Sequence, residues 1–151
     1  MSLLTEEHTA WIGQADTPVT VEISRRDIQK YAAATEQQQD KYLAGDEAPP
    51  MFIFNLFSGI PRMDQLRSDG LARGGASGPK LPLKRIMAGG TEIRQHRAIK
   101  PGDVLTGIRR LVDMYEKQGS SGPLIFMVRE LAITNADGEA VMEEIQTSIA
   151  R

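Results

Sequence analysis

Apolar and polar positions alternate along this chain in blocks that each favour one kind of element. Residues 1–13 form a short amphipathic opening anchored by Trp11 and Ile12. After Pro18, the residues Val19, Val21 and Ile23 alternate with Thr20 and Glu22, the period of two expected of a half-buried strand. Ser24-Arg-Arg-Asp27 predicts a helix start, because the Ser24 hydroxyl can accept from an exposed first-turn amide and the Asp27 carboxylate suits the positive end of the helix dipole. Ile28, Tyr31, Ala32 and Thr35 then recur at steps of three and four, so a helix to about Ala34 has one apolar face. Glu36 to Tyr42 and the acidic turn Gly45-Asp-Glu47 are polar enough to predict a surface loop.

Ala48-Pro-Pro50 opens a second predicted helix, with proline where its missing N–H does no harm. The run from Met51 to Ile60 is apolar on nearly every side, which predicts a buried helix. Residues 61–90 carry Gly70, Gly74-Gly75, Gly78-Pro79 and Pro82 and predict a long irregular loop, a kind of segment that is usually functional or mobile. From Thr91 onward the pattern is of strands: Ile93 to Ile99, Val104 to Tyr115, Leu124 to Thr134 and Glu139 to Ala150. Turns fall at Lys100-Pro-Gly-Asp103, at Lys117 to Gly122 and at Asn135-Ala-Asp-Gly138. In the last strand Val141, Ile145 and Ile149 share one face, interrupted by Glu143, while Glu144, Gln146 and Ser148 share the other. The sheet of about five antiparallel strands must be covered on one face, and the 50–61 helix is the apolar object that can do it. This is the logic of an α+β hot-dog fold, a single domain over 1–151 with the sheet wrapped around that buried helix.

Composition narrows the chemistry. The 151 residues suffice for one ordinary domain and hold no cysteine and two histidines, His8 and His96. Thiol chemistry is excluded, and material for a transition-metal site is scarce, so neither metal nor redox cofactor is expected. No run reaches the length of a membrane-spanning helix, and the N-terminus has no basic-then-apolar signal pattern; the expected location is cytoplasmic. The net charge of −2 conceals an asymmetry: residues 62–110 carry +7 between flanks of −5 and −4. With few aromatic residues to interleave, that segment fits a phosphate-bearing small ligand or an acidic protein surface better than nucleic acid.

In this order and spacing, several short stretches resemble the MaoC-like hydratase/dehydratase family, in particular the N-terminal half of its two-domain, double hot-dog members. They are Ser24 to Ala34, Ala48-Pro-Pro-Met-Phe52, Leu81-Pro-Leu83 with Ala88-Gly-Gly-Thr-Glu92, His96-Arg-Ala-Ile-Lys-Pro-Gly-Asp103, and Val112 to Lys117 with Ser121-Gly122. The resemblance implies a hydro-lyase of acyl thioesters, adding water reversibly to a trans-2-enoyl group on coenzyme A or acyl carrier protein. Such chemistry needs a base, an acid, and backbone N–H donors for the thioester oxygen. Catalytic members carry the acid–base pair in a motif Tyr-Ala-x-x-x-Gly-Asp-x-Asn-Pro-x-His. Laid from Tyr31, its glycine falls on Glu36, its aspartate on Gln37, its asparagine on Gln39, its proline on Asp40 and its histidine on Tyr42. The dyad is absent. Gln37 has no proton to exchange near neutral pH, and a tyrosine hydroxyl is a poor substitute for an imidazole base.

Asp40 and His96 are weak catalytic candidates, and His8 a weaker one in a terminus expected to be mobile. The resemblance leaves a ligand site without its acid–base pair: Ala48, Pro49, Pro50, Met51, Phe52 and Phe54 at the helix start, with Gly89 and Gly90, are the candidate substrate contacts. Lys84, Arg85, Arg94, Arg97 and Lys100, with Arg109 and Arg110, are the candidates for meeting coenzyme A phosphates or an acidic carrier. The reading that follows is a non-catalytic subunit pairing with a separate catalytic MaoC-like chain in a heterodimer or heterotetramer. Its alternatives are a homodimeric acyl-thioester binding protein and a self-sufficient hydratase with an unorthodox acid–base group.

Overall fold

The computed structural model describes residues 2–54, 56–73 and 78–151; Gly74-Gly75 of the predicted loop and one position of the predicted second helix lie outside them. In chain order the elements are α1 (Glu6–Thr9), β1 (Val19–Glu22), α2 (Arg25–Ala34), α3 (Asp40–Leu43), one-turn 3-10 segments at Pro50–Ile53 and Met63–Gln65, β2 (Ile86–Gln95), β3 (Val104–Gly119), β4 (Gly122–Thr134) and β5 (Ala140–Ala150). The strands form one antiparallel sheet in the order β1-β3-β4-β5-β2.

The local signals produce the elements they predict at β1, α2 and the β3-β4-β5 hairpins. Ser24 Oγ accepts from the Asp27 amide at 3.0 Å and its hydroxyl donates to the Asp27 carboxylate at 2.7 Å, which closes the α2 start. Asn135 Oδ1 accepts from the amides of Asp137 and Glu139, shaping the β4–β5 turn. The predicted four-strand meander is corrected in one respect. β2 starts earlier than expected and pairs with β5 at the far edge, so the Lys100–Asp103 turn begins a crossover to β3 instead of a hairpin. Long-range pairing chooses a strand's neighbour, and a period of two says nothing about it.

Register sorts the side chains into faces. On the inner face Gly107, Ile133 and Met142 form one row, Arg109, Leu131 and Glu144 the next, then Leu111, Arg129 and Gln146, then Met114, Met127 and Ser148. Two apolar clusters cap the ends of this face. One packs Ile28 of α2 and Phe52, Ile53 and Phe57 onto Leu105, Leu131 and Ile133. The other brings Leu3, Leu4, Trp11, Leu81 and Leu83 onto Leu111, Met114, Ile125 and Met127. Each such buried aliphatic side chain contributes roughly 1.5–3 kcal/mol. The polar rows lie between the clusters.

Among the described residues of the expected 50–61 helix, one 3-10 turn forms, at Pro50–Ile53, and it ends at Phe54 with φ −59° and ψ 119°. Phe54 is 54% and Ile60 96% exposed, while Phe52, Ile53 and Phe57 are buried. Aromatic and β-branched residues followed by Ser58-Gly59 and Pro61 are poor material for propagating a helix, and α2 already covers that end of the sheet.

Candidate functional site

The segment on which the resembled motif falls leaves α2 through Thr35 and enters α3. Glu36 has φ of +53°, the left-handed region that favours glycine, at the position where the motif has its glycine. Gln37 follows with its amide bonded to Ala32 O (2.9 Å) and its side chain donating to Thr35 Oγ1 (3.2 Å). Contrary to the predicted surface loop, residues 40–43 are helical and Tyr42 is only 8% exposed. Lys41 Nζ sits 4.9 Å from the Tyr42 ring centroid and 2.8 Å from the Glu47 carboxylate. Arg25 and Gln29 of α2 donate to Ala44 O, and Arg25 pairs with Asp46, so α3 is tied to α2. Tyr42 is thus a packing residue here. Asp40 is exposed at the start of α3.

Neither histidine joins this segment. His8 Nδ1 accepts from the Thr5 amide (3.0 Å), and His8 Nε2 lies 3.1 Å from Lys80 O. The opening expected to be mobile is fastened there, and again where the Leu4 amide meets Glu116 (2.7 Å). His96 is exposed after β2, with Nε2 3.7 Å from the Glu143 carboxylate.

Of the expected substrate contacts, Ala48, Pro49 and Phe52 are buried, with the Ala48 amide on Ile99 O (2.8 Å) and Phe52 edge-on to Tyr31 at 5.6 Å. Pro50, Met51 and Phe54 are exposed. The amides of Phe52 and Phe54 are already bonded to Pro49 O and Met51 O, so the short turn offers fewer donors to a thioester oxygen than a full helix start would. Gly89 and Gly90 lie at a bulge on edge strand β2. The cationic candidates are dispersed: Arg94 pairs with Glu92 (2.8 Å), Arg97 with Glu139 (2.7 Å), and Arg85 and Lys100 are exposed. Arg110 faces Glu130 across β3 and β4.

Lys84 and Arg109 both line a cavity of about 640 Å³ between the inner face and the 78–86 segment. Leu81, Leu83, Ile86, Met127 and Phe54 supply its apolar wall, and Arg109, Arg129, Glu144, Gln146 and Ser148 its polar floor. Arg109 and Arg129 also border a larger groove of about 1310 Å³ reaching Trp11, Asp16 and Phe57. Glu144 is 5% exposed; burial pushes its carboxyl pKa up, and the Arg109 guanidinium opposes that through space. Burial lowers the Arg129 pKa, Asp16 counteracts this, and Arg109 adds to it. Ser148 Oγ is fully buried and has no hydrogen-bond partner among the described residues.

Apart from Arg109, this floor was invisible as a site in the sequence. The β5 alternation separates Glu144, Gln146 and Ser148 from the apolar set, yet the polar set is the one turned inward. The available signal was Arg129, a charge ending the apolar run from Leu124 to Val128.

Three comparisons bear on these observations. A family model described as FAS1-like, dehydratase domain region, matches residues 10–144. Mesaconyl-C(4)-CoA hydratase of Chloroflexus aurantiacus is 30% identical over 118 residues, 78% of this chain, and the chain spans 42% of that protein's length. Among solved structures, a chain of the C-terminally truncated HadBC (3R-hydroxyacyl-ACP dehydratase) complex from Mycobacterium tuberculosis superposes with a TM-score of 0.68 at 18% identity, covering 95% of this chain and 99% of that one. A chain of the ChsH1-ChsH2 complex from the same organism gives 0.68 at 16%, covering 96% and 89%. With the match over residues 10–144, and with a five-stranded antiparallel sheet in a hot-dog fold like those of the solved structures, the chain belongs to the FAS1-like dehydratase-domain family.

Proposed function

We propose that this chain is the non-catalytic, acyl-binding hot-dog subunit of a (3R)-hydroxyacyl-thioester dehydratase or enoyl-CoA hydratase, paired with a separate hot-dog chain that supplies the acid–base pair. The observation that carries the reading is the pair Gln37 and Tyr42. Glu36 has the left-handed backbone that favours glycine, which supports a register in which Gln37 and the buried Tyr42 correspond to the motif's aspartate and histidine. Hydration requires one group to take a proton from water and another to return one to the carbon next to the thioester. Gln37 does neither.

A place for a partner supports the same reading. β2 is a ten-residue edge strand with one hydrogen-bonding edge unpaired among the described residues, and its side chains are almost all exposed. Such an edge is a template for a second sheet. The HadBC and ChsH1-ChsH2 structures are named as complexes, which fits a two-chain assembly. The cavity on the inner face is then the acyl compartment.

The test is co-expression with a hot-dog protein carrying an intact Asp-x-Asn-Pro-x-His motif, encoded beside this chain. The two are expected to co-purify, and only the pair to hydrate an enoyl-CoA. Hydration of crotonyl-CoA by this chain alone would overturn the proposal.

A further inference from the structure

The roof of the inner-face cavity is a stretch of chain with little to hold it in place. Pro79, Leu81, Leu83 and Lys84 line the cavity opposite the sheet. Pro79 and Pro82 have no N–H to donate, and residues 79–84 lie outside every strand. Beyond them the chain is fixed, since Arg85 and Arg151 exchange amide–carbonyl bonds of 3.1 and 2.9 Å where β2 begins. Leu81 and Leu83 are only half-buried against the cluster of Leu111, Met114, Ile125 and Met127. Among the described residues, one hydrogen bond ties 79–84 to the rest of the chain: His8 Nε2 lies 3.1 Å from Lys80 O.

The imidazole is arranged for that bond. The Thr5 amide can only donate, and it meets His8 Nδ1 at 3.0 Å, so Nδ1 carries no hydrogen. The ring's one N–H is therefore on Nε2, aimed at a carbonyl that can only accept. The strap that carries His8 is itself anchored along the edge of β3. Gly13 donates to Leu111 O (2.7 Å), Asp16 to Arg109 O (2.8 Å), and the Leu4 amide to Glu116 (2.7 Å). A segment with few bonds of its own, fastened by one side chain to a well-anchored strap, is the part of the cavity wall that opens at least cost. We propose that residues 79–84 form a lid over the cavity with His8 as its latch, and that release at His8 admits the ligand. What enters rests on the acyl-binding reading above, whereas the latch is testable without any ligand.

The chain has one tryptophan, Trp11, one turn beyond His8, and no cysteine, so the position of the lid can be read directly. The Lys80 side chain is exposed and only its carbonyl meets His8, so Lys80→Cys gives an attachment point for a bimane label that Trp11 quenches on contact. The label is expected to be quenched in an otherwise unaltered chain and to brighten about twofold or more on His8→Ala. His8→Gln, whose amide donates at similar reach, is expected to restore most of the quenching. Removing one hydrogen bond raises the open fraction about three- to tenfold. Stopped-flow binding of octanoyl-CoA to the unlabelled chain should therefore show association and dissociation both several-fold faster in His8→Ala, with Kd within about twofold, because the latch is closed before and after binding. A variant that was merely destabilised would bind more weakly without associating faster. A label that is unquenched at the start, emission unchanged by His8→Ala, or association no faster than in the parent overturns the lid. If octanoyl-CoA binds neither parent nor variant while the label responds as expected, the acyl-binding reading falls and the latch stands.

Discussion

Gly107 lies near the start of β3, paired on one side with Val19 and on the other with Ile133, and the Phe57 ring rests directly on it. A Cβ added there would stand 2.5 Å from both Cδ1 and Cγ of Phe57. Carbon atoms in contact ordinarily keep about 3.5–4.0 Å, so Gly107→Ala forces about 1 Å of movement. The strand cannot supply it, being bonded on both edges. The ring is held too, since Phe57 is buried in the cluster with Leu105 and Ile133. Overpacking of this kind costs roughly 1–3 kcal/mol, and the better strand propensity of alanine returns about 0.5–1 kcal/mol of it. The net loss of about 1–2 kcal/mol corresponds to roughly 2–8 °C in Tm for a chain of this size. Calorimetry and urea unfolding read it, and a double-mutant cycle assigns it to the ring. In a Phe57→Ala background the cost of Gly107→Ala should fall by about 1 kcal/mol, because Cγ and Cδ1 of the ring, the clashing atoms, are gone. A Gly107→Ala protein as stable as the parent, or an equal cost in both backgrounds, would refute the packing argument.

Three further substitutions report on other links. Glu36→Gly should stabilise the chain by roughly 0.5–1 kcal/mol, because it relieves a left-handed side chain; a loss in urea unfolding would count against the backbone reading at this position. Ser24→Ala removes the hydroxyl that accepts from the Asp27 amide and should cost about 1 kcal/mol, measured as a shift in urea midpoint at unchanged slope. Glu144→Gln tests the buried carboxyl through pH. Because burial raises the folded-state pKa, Glu144 favours the fold at acidic pH, and that contribution is lost as pH rises through the folded value. The variant should therefore gain in Tm relative to the parent as pH rises above the ordinary glutamate range, and a difference that is flat with pH would contradict the desolvated carboxyl.

Local chemistry in the sequence determined β1, the capped helix α2, the three long strands and their turns, because alternation, an N-cap hydroxyl and an Asn-rich turn act within a few residues. It also determined that residues 36–50 hold no histidine, and no fold can give the Gln37 amide a titratable proton. Tertiary structure decided the rest. The neighbour of β2 depends on hydrogen bonds to β5, some sixty residues distant at the chain's start of pairing with Ala150, and periodicity carries no information about them. The apolar run after Pro50 was legible as core but not as a single turn, because what covers that end of the sheet, α2, is set by packing. Alternation placed Glu144, Gln146 and Ser148 on one face without saying which face would be closed. Only when β3, β4 and β5 came into register, with the Leu81–Leu83 segment laid over them, did those side chains and two arginines become the floor of a cavity.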